Sequence, residues 1–211
     1  MPDTTNNLDK LLAQIMTKNP DIVEFRMDKL EDSDSAAAIG AKKTFPAIAA
    51  HRGTKDPTLR NDLLLAAAKS GFEYVDIDQA WPYARKLAEM CKASGAKIIA
   101  STHNFQDTPS QTQLGAVLES MRESPVDICK IVTTANHPRD NLVVLNFLED
   151  KSRGARLISF AMGSLGIPSR ILSPVYGAEF TFAALSSESK TAEGQLSIDD
   201  LRDAWQLLGI Q

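Results

Sequence analysis

KIIASTH at residues 97–103 and DICKIVT at residues 127–133 are the two stretches of sequence that decide the fold class. Each is short, apolar and rich in β-branched residues, as is typical of parallel strands that are buried on both faces. Side chains alternate along a strand, so Lys130 shares a face with Ile128 and Val132. A lysine in such a place does not readily reach water, and we expect it to be ion-paired, neutral or used in chemistry.

His103 ends the first of these strands, one βα unit before Lys130. Its position makes it a natural general base for a reaction in which Lys130 takes part. A structural ion pair of Lys130 is the alternative interpretation, and these two residues alone do not decide between the two.

Strand-like and helix-like segments alternate along the whole chain, with a period of roughly 25 residues. The predicted strands are 21–28, 45–52, 74–78, 97–103, 127–133, 156–162 and 179–185. The predicted helices are 7–18, 33–43, 58–70, 81–94, 110–123, 138–152 and 197–208. Since the chain has no stretch of linker composition, we expect a single domain over 1–211 with a parallel sheet.

Charged residues on the predicted strands distinguish an open sheet from a closed one. The residues concerned are Glu24, Arg26, Asp28, Arg52, Asp76, Asp78, His103 and Lys130. An open parallel sheet that is covered by helices on both sides has no place for so many ionisable groups. A (β/α)8 TIM-type barrel has such a place at the carboxyl ends of its strands, where these enzymes build their sites. Structural salt bridges inside the barrel are the alternative.

Composition excludes several classes of function. The formal net charge of −4, with both signs interspersed, provides no basic patch for nucleic acid and no polybasic arm for a membrane. The first ten residues lack the apolar core of a signal peptide, and no run is long enough to span a bilayer. Cys91 and Cys129 are expected to be reduced core residues, which indicates a cytoplasmic protein.

Nucleotide and metal sites have little support in the sequence. No dinucleotide fingerprint or Walker loop is present, and AMGSLGIPSR at 161–170 is expected to be a loop after a strand. The one metal site worth weighing combines His103 with Asp76 and Asp78, and we do not favour it.

The chain resembles type I 3-dehydroquinate dehydratase, the Schiff-base-forming enzyme of the shikimate pathway of aromatic amino-acid biosynthesis. The matching segments occur in the order of that family over almost the whole chain. They are EFRMD at 24–28, Arg52, VDID at 75–78, STHNFQDTPS at 101–110, DICKI at 127–131, AMGSLGIPSR at 161–170, FTFAAL at 180–185 and AEGQLSIDDLR at 192–202.

The resemblance implies a lyase that dehydrates 3-dehydroquinate to 3-dehydroshikimate. Lys130 would form an imine with the ring ketone, and His103 would be the general acid and base. The implied substrate-binding residues are Glu24, Arg26, Arg52, Arg170, Thr191 and Gln195, with Asp56 and Asp76 in support. Because the imine is the electron sink, the resemblance implies no cofactor and no metal, and it is compatible with a homodimer.

The chain departs from the family pattern at several points. The usual first strand is missing before helix 7–18, so that seven strands are counted in place of eight. Asp56 stands where the family typically has glutamate, and whether it contacts His103 is left open. Thr191 stands where serine is usual, and Asp78 where glutamate is frequent.

Two other functions stay open at this point. One is a different class I Schiff-base lyase or aldolase, which would keep Lys130 but use another acid–base partner. The other is a non-catalytic barrel that binds a shikimate-like acid through Arg170 and Arg52.

Overall fold

The computed structural model describes residues 4–29, 33–53 and 56–210, and helices alternate with strands along them. The α-helices are α1 (Thr4–Lys18), α2 (Ser33–Lys42), α3 (Pro57–Lys69), α4 (Ala84–Ala93), α5 (Gln111–Arg122), α6 (Asp140–Lys151), α7 (Ile167–Leu172) and α8 (Ile198–Leu208). The β-strands are β1 (Val23–Arg26), β2 (Ala47–Ala50), β3 (Tyr74–Asp78), β4 (Lys97–His103), β5 (Ile128–Thr134) and β6 (Leu157–Met162). The chain divides into two compact units, Met1–Ile99 and Ala100–Gln211.

In the first unit, β1, β2 and β3 are parallel neighbours in chain order. Ala50 of β2 pairs in register with Arg26 of β1 and with Asp76 of β3. All four residues of β2 are buried, as expected for a strand that is covered on both faces. The register therefore sets Arg26 and Asp76 in one row across the sheet, at or near the carboxyl ends of their strands.

In the second unit, β5 and β6 are parallel, with Lys130 paired to Ile158 and Val132 paired to Phe160. Paired residues share a face of the sheet, and so do alternate residues along a strand. Lys130 and Phe160 therefore lie on the same face. The opposite side of this unit is closed by an apolar core that includes Leu118, Met121, Phe147, Leu148 and Leu157.

The helix ends have ordinary capping residues. Ser110 is the N-cap of α5, where its Oγ accepts from the backbone N–H of Gln113 while the Gln113 side chain accepts from the Ser110 N–H. Gly71 and Gly95 follow α3 and α4 with φ of 83° and 95°, a backbone conformation that glycine adopts without steric strain.

Three predicted segments differ in the structure. The segment 179–185 is not a strand, because its backbone makes only a bridge between Ala184 and Ser197 and a hydrogen bond from Glu179 to Leu157. The predicted loop 161–170 contains the start of α7. The strand predicted over 21–28 ends at Arg26 and continues as a 3-10 turn, which takes Asp28 off the strand.

The missing first strand is confirmed over the described residues, since α1 begins at Thr4. Residues 1–3 lie outside the described part of the chain. Cys91 and Cys129 are both free and buried, as predicted, and burial raises the pKa of each thiol to about 11. Within the described ranges, the helices are too short or too polar to cross a bilayer.

Candidate active site

The predicted polar residues of the first unit form two ion pairs at the ends of β1 to β3. Arg26 donates from Nε and Nη2 to the two carboxylate oxygens of Asp28, at 2.9 and 2.8 Å. Arg52 donates from Nη2 to Oδ2 of Asp76 at 2.6 Å. The two-pronged geometry of the first pair follows from the 3-10 turn, which brings Asp28 back beside Arg26.

Asp28 is held in its ionised form by its neighbours. Burial raises the pKa of its carboxyl, but the hydrogen bonds from the Arg26 side chain and the Arg52 backbone N–H outweigh this effect and set the pKa at about 2. The sequence predicted that Arg26 and Asp28 share a strand face, whereas the structure pairs them through the turn. Asp28, one of the charged residues that the sequence placed at the carboxyl ends of the strands, is therefore a structural partner of Arg26.

Arg52 and Asp76 form the more buried pair. Asp76 is 0 % exposed, and a lone carboxylate there would be costly to ionise without a cation. Burial lowers the pKa of Arg52, but the charge and hydrogen bond of Asp76, with Glu24 and Asp78 behind it, raise it above its ordinary value. Asp76 thus holds the Arg52 guanidinium in place.

Asp56 has a local structural contact in the first unit. Its Oδ1 accepts from the backbone N–H groups of Thr58 and Leu59 and so caps the start of α3.

Sequence reasoning missed Arg60, which is buried with its guanidinium carbon 4.3 Å from the centre of the Trp81 ring. Arg60 lies within α3 and Trp81 in the turn after β3, so no local pattern indicates the contact between them.

Lys130 is the central residue of the second unit. It stands on β5 with 4 % of its surface exposed, and its Nζ lies 4.0 Å from the centre of the Phe182 ring. The face of an aromatic ring attracts a cation. The expectation of a buried lysine among apolar neighbours is confirmed, whereas Phe182 was missed as a neighbour.

His103 ends β4, and its ring stacks on Phe105 with the centroids 6.0 Å apart and the planes at 15°. The backbone N–H of Asn104, the next residue, donates to the carbonyl of Val132 at 2.8 Å. This hydrogen bond places the end of β4 beside the part of β5 that follows Lys130. His103 and Lys130 therefore stand on neighbouring strands of one unit.

Arg170 lies in α7 with only 2 % of its surface exposed. Its guanidinium carbon is 4.3 Å from the centre of the Phe160 ring, and its Nη2 has no hydrogen-bond partner in the described part of the chain. Burial lowers the pKa of Arg170 to about 10. A buried guanidinium with an unused donor is suited to an anionic ligand such as a carboxylate.

Ser169 and Asn141 fix the helix that carries Arg170. Ser169 accepts at Oγ from the backbone N–H of Ala161 and donates to the carbonyl of Gly166. Its own N–H donates to the side-chain oxygen of Asn141. The seryl hydroxyl thus ties α7 to the end of β6.

Thr191 and Gln195 contact each other within the loop that precedes α8. Oε1 of Gln195 accepts from the Thr191 N–H at 2.8 Å and from its hydroxyl at 3.3 Å. Gly163 donates from its N–H to the carbonyl of Glu193, so this loop is docked on the turn after β6. Thr191 and Gln195, which the resemblance implied as substrate-binding residues, are therefore in contact with each other.

The residues that could hold a metal are not grouped. Within residues 4–29, 33–53 and 56–210, no three histidine, cysteine, aspartate or glutamate side chains are arranged as a metal site. Among the described residues, His103, Asp76 and Asp78 are not part of any such group.

Comparison with known proteins gives a consistent result. A family model described as type I 3-dehydroquinase matches residues 1–211. The 3-dehydroquinate dehydratase of Dehalococcoides mccartyi (strain 195) is 33% identical over 190 residues, which cover 87% of this chain and 84% of that protein. The 3-dehydroquinate dehydratase of Pyrococcus abyssi is 30% identical over 210 residues, which cover 97% of this chain and 95% of that one.

Solved structures share the fold. The 3-dehydroquinate dehydratase of Geobacillus kaustophilus has a TM-score of 0.85 at 25% identity, over 96% of this chain and 87% of its own. The type I enzyme of Clostridium difficile, solved with covalently modified comenic acid, has a TM-score of 0.83 at 20% identity, over 97% of this chain and 88% of its own. These likenesses confirm the predicted fold class, a TIM-type α/β fold that lacks the usual first strand over residues 4–18.

Proposed function

Because the chain belongs to the type I 3-dehydroquinase family and dehydrates 3-dehydroquinate to 3-dehydroshikimate, we propose that Lys130 forms the Schiff base and that His103 is the general acid and base. The burial of Lys130 is the observation that carries this proposal. The alternative interpretation of a buried lysine is a purely structural ion pair. That interpretation does not explain why a histidine stands on the neighbouring strand of the same unit.

The reaction starts with the attack of the neutral Lys130 amine on the ring ketone of the substrate. A C–N bond forms, and the ketone oxygen leaves as water to give an imine. His103 then removes a proton from the adjacent carbon. The electron pair of that C–H bond forms a C=C bond, and the π pair of the protonated imine moves to its nitrogen to give an enamine. The enamine expels the neighbouring hydroxyl, which His103 protonates so that it leaves as water. Hydrolysis of the remaining imine returns the lysine and releases 3-dehydroshikimate.

Arg170 is proposed to pair with the substrate carboxylate, because its buried guanidinium has a donor to spare. Thr191 and Gln195 would close over the substrate with their loop, and their mutual hydrogen bonds support a common role. Glu24 and Arg26 would bind substrate hydroxyls and the imine region, and Arg52 would be a further substrate-binding residue. Asp76 and Asp56 would support them, the first by fixing Arg52 and the second by capping α3.

The proposal extends to the organisation of the protein. We place residues 1–211 in one cytoplasmic domain, where Cys91 and Cys129 stay reduced. We also propose that the protein forms a homodimer. Leu207 and Leu208 of α8 are exposed, and a second copy of the chain would cover this apolar surface.

Borohydride trapping tests the role of Lys130. Reduction in the presence of 3-dehydroquinate is expected to leave a covalent adduct whose mass maps to Lys130. Lys130→Ala and Lys130→Arg are expected to abolish both trapping and turnover, since a guanidinium stays protonated and is a poor nucleophile. Intact-protein and peptide mass spectrometry read the adduct, and product absorbance reads turnover.

Lys97→Ala is the matched control. Lys97 also lies near an aromatic ring, with its Nζ 5.6 Å from the centre of Tyr74, but its side chain is exposed. This variant is expected to be trapped and to turn over like the unaltered enzyme. An adduct on a lysine other than Lys130 would contradict the proposed mechanism.

A further inference from the structure

Arg170 is buried at a cost that its own hydrogen bonds do not offset. With 2 % of its surface exposed and Nη2 unpaired within the described residues, its charge has lost most of the water that would stabilise it. A guanidinium with so little hydration needs a favourable contact to stay in a buried, apolar place. The neighbour that lies against the guanidinium is Phe160, with its ring centre 4.3 Å from the guanidinium carbon.

Phe160 is itself held rigidly. It stands on β6 in register with Val132 of β5, and it is buried. Its ring contacts Phe182, with the centroids 6.1 Å apart and the planes at 57°. The other side of this aromatic pair faces Lys130, whose Nζ is 4.0 Å from the Phe182 ring centre. The side chains of Arg170 and Lys130 therefore lie on one connected pair of rings.

The backbone of Arg170 is fixed without help from Phe160. Its carbonyl accepts from the hydroxyl of Thr181 at 2.9 Å, and the preceding Ser169 is tied to Ala161 and Asn141. Phe160 is thus not needed to place α7. What its ring supplies is a face on which the guanidinium can lie.

We propose that Phe160 is a positioning residue for substrate binding, which holds the Arg170 guanidinium flat on its ring and keeps the unpaired donor available for the substrate carboxylate. The inference rests on the proposed function of Arg170. It assigns to Phe160 a part in carboxylate recognition that is separate from filling the core.

Steady-state kinetics of Phe160→Leu test the proposal. Leucine is also apolar but has no π face, so KM for 3-dehydroquinate is expected to rise about 2- to 30-fold, the equivalent of a cation–π contact, while kcat changes much less. Replacing Phe160 by trifluorophenylalanine keeps the shape and weakens the negative face of the ring. It is expected to raise KM by an intermediate factor without a loss of thermal stability.

Phe147→Leu is the matched control for packing. Phe147 is fully buried in the apolar core of the same unit. Its replacement is expected to lower the Tm while leaving KM unchanged. If Phe160→Leu lowers the Tm and leaves KM unchanged in the same way, Phe160 only fills space and the proposal is wrong. If Phe160→Leu does not fold, the trifluorophenylalanine variant decides by its KM.

A double-mutant cycle shows whether Phe160 acts through Arg170. In an Arg170→Met background, Phe160→Leu is expected to change KM by less than about 2-fold, because the cation it holds is gone. An undiminished effect in that background would overturn the proposal. Failure of the proposed function is recognised separately, by the absence of a Lys130 adduct in the unaltered enzyme or by an unchanged KM in Arg170→Met alone.

Discussion

His103 and Lys130 have separable tasks at the scale of single residues. If His103 removes the ring proton after the imine has formed, His103→Ala is expected to form the imine but to lose turnover by about 10²- to 10⁴-fold, the usual contribution of a general base. A covalent complex should then accumulate and be visible as a shift in intact-protein mass without borohydride.

Phe105→Ala is the control for His103. It removes the ring that stacks on the imidazole but leaves the base in place. We expect a much smaller loss of turnover than in His103→Ala and no accumulated adduct. A folded His103→Ala variant that neither turns over nor forms the adduct would show that His103 acts before the imine, on the amine or the carbinolamine.

At this scale the sequence predicted side chains better than it predicted their partners. The apolar neighbours of Lys130 on its own strand were enough to predict its burial. Phe182 lies beside Lys130 in space but comes from a distant segment, so no local spacing indicates it. Arg26 and Asp28 were expected on one strand face, and their pairing depends on a turn that the sequence pattern conceals.

The turn between β6 and α7 shows how an element depends on one glycine. An ideal Cβ on Gly166 would lie 2.4 Å from the carbonyl oxygen of Ala161, far inside van der Waals contact. Gly166→Ala is therefore expected to destabilise the protein by about 1–3 kcal/mol, as overpacking does. Because α7 carries Arg170, KM for 3-dehydroquinate should rise as well. Urea unfolding and steady-state kinetics measure the two effects.

Gly115→Ala provides the opposite expectation from the same substitution. Gly115 lies inside α5, and an added Cβ there would meet no atom within 4 Å. Alanine in a helix interior is about 0.5–1 kcal/mol more favourable than glycine, so this variant should gain stability with KM unchanged. Equal stability changes in the two variants would show that the contact at Gly166 is not limiting.

Secondary-structure prediction failed at 179–185, where side-chain contacts take the place of regular hydrogen bonds between strands. Alternating apolar and polar residues in 179–185 are typical of a strand, yet most of the segment pairs with no neighbouring strand. The hydroxyl of Thr181 donates to the carbonyl of Arg170, and Phe180 and Phe182 pack on each other with centroids 5.5 Å apart. Side-chain contacts of this kind hold an extended chain without regular backbone pairing. For strands β3 to β6, by contrast, the predicted positions agree with the structure to within a residue or two.

The stability of the whole molecule is expected to depend on the charge of Asp28. Its folded pKa of about 2 lies below the ordinary 3.8, so its ionised form is favoured by folding. The resulting stability is fully present above about pH 4 and is lost as the pH falls from about 4 to 2. The side chain is 11 % exposed, so solvent screening is limited and the contribution is about 2 kcal/mol.

Asp28→Asn is expected to be about 2 kcal/mol less stable at neutral pH and to lose less stability between pH 4 and 2. Asp62→Asn, at an exposed position of α3, is the control and should follow the acid dependence of the unaltered protein. Chemical unfolding at a series of pH values gives both curves. Parallel curves for Asp28→Asn and the unaltered protein would contradict the assignment.

The order of helices and strands in the whole chain was predictable because each segment contains its own periodicity and caps. Contacts between distant segments were not predictable, because composition and local spacing do not specify which distant residues meet. The Arg52–Asp76 ion pair of the first unit and the Phe160–Phe182 pair of the second are both of this kind.

Because both of its thiols are buried, the unaltered enzyme is expected to be unreactive toward cysteine-directed dyes. Only the thiolate reacts with a maleimide, and at neutral pH a thiol with a pKa of about 11 is almost wholly protonated. A single cysteine at an exposed position such as Leu142, which is 60 % exposed, would then be the one site of labelling. The enzyme can therefore carry a fluorophore at a chosen place without first having its own cysteines removed.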